Sequence, residues 1–129
     1  MSEETRRRFL AAIADHVAPE RVEEVRVFRP IRQGGQETGV AVIAADITPA
    51  TDGQVPTVSR HTVYSAHYRL VLKGPERGRF ETAVVAEADA PLTAVDAVVR
   101  GVLRRAGEDD EPERLTGESF REAVAGPDA

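Results

Sequence analysis

The chain has 129 residues, of which 41% are hydrophobic and 30% charged, values that are typical of one folded domain and exclude a disordered chain. It has no cysteine, which excludes disulfides, thiolate metal sites and cysteine nucleophiles together. The net charge of -5 disfavours a nucleic acid as the main partner, because phosphate binding requires a basic surface.

The first predicted element is a helix that ends before Pro19. Ser2 is its predicted N-cap, and the acids that follow Ser2 suit the positive end of the helix dipole. Residue 18 precedes a proline, which disfavours helical geometry there. The apolar stripe at helical spacing consists of Phe9, Leu10, Ile13, Ala14 and Val17.

Two β-hairpins are predicted next. The first joins a strand over 22–32 to a strand over 37–47 through a two-residue turn at Gly34 and Gly35. The predicted pairs across this turn are Arg32 with Glu37, Val27 with Val42, and Val25 with Ala44. Residues 49–58, which contain two prolines and a glycine, are predicted to form a long loop after the hairpin.

The second hairpin joins strands over 61–73 and 79–88 through a turn at 74–78. One face of this hairpin is almost wholly apolar, as expected of a side that packs on a core. Its predicted pairs are Lys73 with Arg79, Leu72 with Phe80, Tyr68 with Val84, Ala66 with Ala86, and Tyr64 with Ala88.

The last part of the chain is predicted to hold a helix, a linker and a short amphipathic tail. The helix covers 92–106, with an apolar stripe and Gly107 as its stop. We therefore expect one α+β domain over 1–107, an acidic linker over 108–115 and an amphipathic segment over 116–129. The expected fold is a four-stranded antiparallel meander with N- and C-terminal helices on one face, in the order α-β-β-β-β-α, plus a short C-terminal helix.

The residues that could carry chemistry do not form a recognisable catalytic or cofactor motif. His61 and His67 share a strand face but are separated by roughly 20 Å at the rise of a strand, so they cannot act together. The glycine-rich turns join strand to strand, whereas phosphate loops join a strand to a helix. We expect no catalytic residues, no metal and no cofactor.

Both faces of the predicted sheet carry apolar residues. If Val25, Val27, Val40 and Val42 face the helices, an apolar surface including Phe28, Pro30, Ala41, Ile43 and Ile47 faces the other way, which favours an interface. Homo-oligomerisation is the favoured interpretation; cover by a segment of the same chain, or a different protein partner, stays open. The predicted interface residues are Phe28, Ile43, Val63, His67, Arg69, Val71, Val85, Phe120 and Val124.

Function is therefore expected to lie in binding. The leading hypothesis is a non-catalytic protein-binding or assembly module, a structural or chaperone-like component, which self-associates through the sheet and docks its C-terminal segment on a neighbour. The alternative is a small ligand-binding protein or enzyme, with a pocket between the sheet and the 49–58 loop that uses Tyr64, Tyr68, His67 or Asp46. Nucleic-acid binding through hairpin arginines is the least favoured. No membrane segment is expected, and the expected location is the cytoplasm.

Overall fold

A computed structural model describes residues 1–48, 60–91 and 112–125, with backbone alone at 47–48, 60–61 and 86–91. The described elements are helix α1 (Glu3–His16), a 3₁₀ helix (Pro19–Arg21), strands β1 (Val22–Val27), β2 (Ile31–Gln33), β3 (Gln36–Thr48), β4 (Arg60–Val71), β5 (Phe80–Pro91) and β6 (Glu113–Thr116), and helix α2 (Gly117–Ala125). The predicted 49–58 loop and 92–106 helix lie outside the described residues. Of the helices described, none has the length and apolar character needed to cross a membrane.

The strands form an antiparallel sheet in the order β5-β4-β3-β1-β6, and β2 also pairs with β3. The predicted α+β class and the predicted neighbours along the meander are confirmed. The described sheet has six strands instead of the four expected. The first predicted strand is divided into β1 and β2, and β6 is an addition.

The turn of the first hairpin is confirmed. Gly34 and Gly35 have φ angles of 61° and 76°, the left-handed region that a two-residue hairpin turn requires and that glycine adopts without strain. Arg32 pairs with Glu37 across this turn, as predicted.

Beyond this turn the predicted pairing of the first hairpin is wrong by one residue. Phe28 continues the ladder by donating its N–H to the carbonyl of Val40 at 3.0 Å, and residues 29–30 then separate it from β2, where Pro30 has no N–H to donate. Val27 therefore pairs with Ala41, and Val25 with Ile43. A slip of one residue moves a side chain to the other face of a strand. Ala41 and Ile43 consequently lie on the helix-facing side, and not on the opposite side as predicted.

As far as the pair of Tyr64 with Ala86, the faces of the second hairpin are as predicted, although its pairs are shifted by two residues. Beyond it the register shifts by one more residue, and Ala88 pairs with Val63 instead of Tyr64. Leu70 pairs with Phe80, and Tyr68 pairs with Thr82. The hairpin loop is longer than expected because Leu72 leaves the β4–β5 ladder and donates its N–H to the carbonyl of Gly35 at 2.8 Å. A shift of two residues preserves which side chains share a face.

The core lies between one face of the sheet and the two helices. We call this side of the sheet the inner face and the opposite side the outer face. Helix α1 contributes Phe9, Leu10 and Ile13 to the core, and α2 contributes Phe120. The sheet residues of the core are Val22, Val25, Val27, Ala41, Ile43, Ala45, Ala66, Tyr68 and Leu115.

The C-terminal segment is an integral part of this core. Strand β6 occupies 113–116, the last three residues of the predicted linker and the first of the predicted C-terminal segment, and pairs with β1, placing Leu115 opposite Val25. Of the acidic residues that suggested a linker, Glu113 has a partner, since it pairs with Arg6 at 3.0 Å. Residues 113–115 are thus part of the sheet. Tertiary pairing decides their conformation, which composition cannot indicate.

Candidate interaction surface

The structure places the nine predicted interface residues in three different environments. Ile43 and Phe120 are 0% exposed within the inner-face core, so neither is open to a partner in this structure. Val124 packs against the same core from α2. The remaining six lie at β4, at β5 or next to β1, where the outer face of the sheet is formed.

Part of the outer face is buried. Phe28 and Val63 are both buried, as are Val42 and Ala44 beside them, although none of the four belongs to the inner-face core. Both described helices pack on the inner face. The predicted helix that could cover this area, residues 92–106, lies outside the described residues. The part of the outer face that a partner can reach is therefore smaller than the sequence suggested.

The accessible part of the outer face lies across β4 and β5. We call it the open patch, formed by His67, Arg69, Glu81, Ala83 and Val85. Ala83 pairs with His67, and Val85 pairs with the buried Ser65. Val85 is 53% exposed, and among the described side chains it is the one large hydrophobic residue that is exposed. Val71, at the end of β4, is half-buried.

Charges in the open patch are neutralised within the hairpin. Arg69 pairs with Glu81 across the two strands, and Arg79 approaches the same carboxylate to 2.8 Å. These exposed ion pairs contribute little to stability, because water screens them. Their effect is to leave a surface of mixed polarity around Val85 without a strong net charge.

One edge of the sheet adjoins the open patch. Among the described strands, β5 pairs on one side only, with β4, and it extends over 12 residues. The free side of a terminal strand presents unpaired N–H and C=O groups, which can bind another strand. The sequence analysis placed this strand last in the meander but did not identify its edge as a site. A long alternating strand without an internal lysine or proline before Pro91 is the feature that could have indicated it.

A second feature that the sequence analysis missed is a buried carboxylate in the core. Glu37 and Tyr68 are each 1% exposed, and the tyrosine hydroxyl donates to Glu37 Oε2 at 2.7 Å. Arg32 Nε donates to the other carboxylate oxygen at 2.8 Å. The rings of Phe9 and Phe80 lie 4.8 and 5.4 Å from that of Tyr68. Since both carboxylate oxygens accept hydrogen bonds within the chain, we interpret this cluster as stabilising the folded structure and not as a reactive site.

The pKa of Glu37 reflects two opposing effects. Burial is the largest single effect and raises this pKa, because it penalises the charged form. Hydrogen bonds from Tyr68 and Arg32 stabilise the carboxylate and together outweigh burial, so the pKa lies below its ordinary value. Burial, followed by the bond to Glu37, raises the pKa of Tyr68. Glu37 is thus ionised and Tyr68 protonated at neutral pH.

Another polar cluster, formed by Asp46, Arg21 and Tyr64, lies near the end of β3. Asp46 has a φ angle of 56°, in the left-handed region that non-glycine residues seldom adopt, although aspartate tolerates it better than most. Arg21 holds this carboxylate with two donors and also donates to the Tyr64 hydroxyl at 3.2 Å. The hydrogen bond from Arg21 lowers the pKa of Asp46.

The residues suggested for a ligand pocket do not converge. Tyr64 and Asp46 are joined through Arg21, whereas Tyr68 is committed to Glu37 in the core. His67 pairs with Val40 and belongs to the outer face, on the other side of the sheet. Within the described part of the chain, no group of three or more histidine or acidic residues could hold a metal ion.

Comparison with protein-family models, with curated proteins and with solved structures gives no match to this chain.

Proposed function

We propose that the chain is a non-catalytic protein-binding or assembly module that self-associates through its sheet. The observation that carries the proposal is the position of Val85, which is 53% exposed in the middle of β5, the strand that pairs on one side only among the described strands. Exposed apolar surface on an ordered strand, next to unpaired backbone groups, favours association with another chain.

The proposal includes the C-terminal segment. In the structure this segment is seated on its own chain, with Phe120 in the core and Arg121 donating to the carbonyl of Pro19 at 3.1 Å. A neighbour's segment would make the same contacts if two copies exchanged these residues, which is the form that docking on a neighbour takes in this proposal. We place the module in the cytoplasm, since a chain without cysteine suits a reducing compartment.

The test is the absolute mass of the wild-type chain, measured by light scattering on a sizing column over a wide range of concentrations. We expect a defined species of at least twice the 14.0 kDa of one chain, more populated at higher concentration. A mass of 14.0 kDa at every concentration would contradict self-association.

One observation favours the second candidate, a small ligand-binding protein or enzyme. The unusual backbone of Asp46, whose carboxylate is held by Arg21, lies just before residues 49–58, and such backbone conformations cluster at functional sites. The test is a thermal-shift screen of small molecules on the wild-type chain and the Arg21→Ala variant. A compound that raises the melting temperature of the wild type alone supports this candidate, and a screen without any such compound contradicts it.

A further inference from the structure

The two edges of the described sheet differ in how well they are protected. Strand β6 has only four residues, its first two carry charges that are paired with Arg6 and Glu24, and α2 follows it directly. Short strands and charges are the usual means by which proteins prevent pairing between edges. Strand β5 has 12 residues, and its first seven, Phe80–Ala86, contain neither proline nor lysine. Their one charge, Glu81, is already paired within the hairpin.

The outward-facing backbone groups of β5 can be assigned from its ladder with β4. Val71 donates its N–H to the carbonyl of Arg79 at 3.0 Å, so the carbonyl of Arg79 faces β4. Successive residues of an antiparallel strand direct their N–H and C=O groups to alternate sides. In the regular pairing that follows, Glu81 and Ala83 therefore face β4, while Thr82 and Val84 face the free edge.

This edge is complementary to itself. A two-fold axis at Ala83 places Ala83 opposite its own copy, Thr82 opposite Val84, and Glu81 opposite Val85. The outward groups of Thr82 then meet those of Val84, and no like charges are opposite each other. An axis at Val84 would instead place Glu81 opposite the acidic residue at position 87, which is unfavourable.

We propose that two copies of this chain pair β5 with β5 in antiparallel fashion about a two-fold axis at Ala83. The two sheets then form one continuous sheet, with the open patch of each copy next to that of the other. This inference rests on the proposed self-association and names the surface and the partner, a second copy of the same chain.

The first test removes a single edge donor. Thr82→Pro eliminates an N–H that faces the free edge and leaves the bonds between β4 and β5 in place, since proline is tolerated at an edge. The matched control is Thr82→Val, which retains the N–H. Light scattering should show loss of the dimer for Thr82→Pro alone, with far-UV circular dichroism unchanged in both variants.

The second test uses the residue on the axis, which is exposed, so that a charge there is compatible with folding. Ala83→Lys and Ala83→Glu each place two like charges opposite each other across the axis and should abolish the dimer. An equal mixture of the two variants places opposite charges there and should restore it. This rescue is expected only if position 83 meets its own copy.

The outcomes separate this inference from the proposed function. Loss of the dimer in Thr82→Pro and both Ala83 variants, with rescue on mixing, supports pairing at Ala83. A wild-type dimer that survives Ala83→Lys is held by another surface, such as exchanged C-terminal segments, and overturns the inference but not self-association. Dissociation without rescue on mixing overturns the axis at Ala83. A wild-type chain that never associates overturns both proposals.

Discussion

The hydrogen bond between Tyr68 and Glu37 should make a measurable contribution to stability. Both side chains are 1% exposed, and the bond of 2.7 Å joins a hydroxyl to a carboxylate. Hydrogen bonds to charged groups contribute about 1.5–3 kcal/mol, and a buried partner left without its donor is penalised. Tyr68→Phe keeps the ring contacts with Phe9 and Phe80 and should therefore lower the free energy of unfolding by about 1.5–3 kcal/mol.

Tyr64→Phe is the matched control, because Tyr64 lies four residues away on the same face of the same strand. Its hydroxyl accepts a hydrogen bond from the exposed Arg21, so its removal should cost less. Urea denaturation followed by far-UV circular dichroism measures both variants, since the chain has no tryptophan for fluorescence. Equal losses of stability in the two variants would refute the importance of the buried bond.

The pH dependence of Tyr68→Phe gives an independent check. The pKa of Glu37 is lowered in the folded state, so its contribution to stability is present above the pKa of the unfolded chain and is lost as the pH falls towards the folded pKa. Removing the Tyr68 hydroxyl leaves burial in place and raises the pKa of Glu37. The difference in unfolding free energy between wild type and variant should shrink as the solution is acidified. A difference that is constant from neutral to acid pH would contradict this explanation.

Three further substitutions test the core and a helix cap, each by urea denaturation. Gly39→Ala should lower the free energy of unfolding by about 1–3 kcal/mol, because a Cβ there would overlap the ring of Tyr68. An unchanged midpoint of urea denaturation would show that the ring moves freely. Phe120→Ala should lower the free energy of unfolding by about 3–5 kcal/mol, since this side chain is 0% exposed. A decrease under about 0.5 kcal/mol, which is typical of surface sites, would refute the docking of α2. Ser2→Ala removes the acceptor of the Thr5 N–H and should cost about 0.5–2 kcal/mol, whereas Ser2→Asn retains a cap and should cost less.

Local features could be predicted from the sequence where they depend on neighbouring residues. The N-cap of α1 at Ser2 is confirmed, and its side chain accepts from the Thr5 N–H. The turn at Gly34 and Gly35 is confirmed for the same reason, since a two-residue turn requires positive φ angles that glycine provides. In both cases a few adjacent residues determine the geometry.

The register of the first hairpin cannot be predicted from the residues of β3 alone. Residues 40–45 are continuously apolar, so either face of β3 could face the core, and alternation cannot choose between them. Residues 29–30 separate β1 from β2, and the register of β1 against β3 differs by one residue from that of β2, which places Ile43 in the core. The assignment of Ile43 to an interface followed from the incorrect register.

The features of the candidate site that depend on the arrangement of the whole sheet were the least predictable from the sequence. The sequence analysis included His67, Arg69 and Val85, which do lie together on the open patch, but it did not identify the edge of β5. Whether a strand is an edge depends on the order of the whole sheet. In the described sheet β5 stays at one end, as in the predicted meander, and β6, which has a single buried apolar residue, pairs with β1 at the opposite end.

Amide hydrogen exchange as a function of protein concentration tests self-association through β5 most directly. Among the described strands none pairs with the side of β5 on which the N–H groups of Thr82 and Val84 lie. Both groups are paired in the proposed dimer, so their exchange should slow as the concentration rises. Amides of α1 that are already bonded within the helix provide the reference. Slowing confined to β5 is the predicted result. Exchange at Thr82 and Val84 that is independent of concentration, or slowing at another surface alone, would contradict the account.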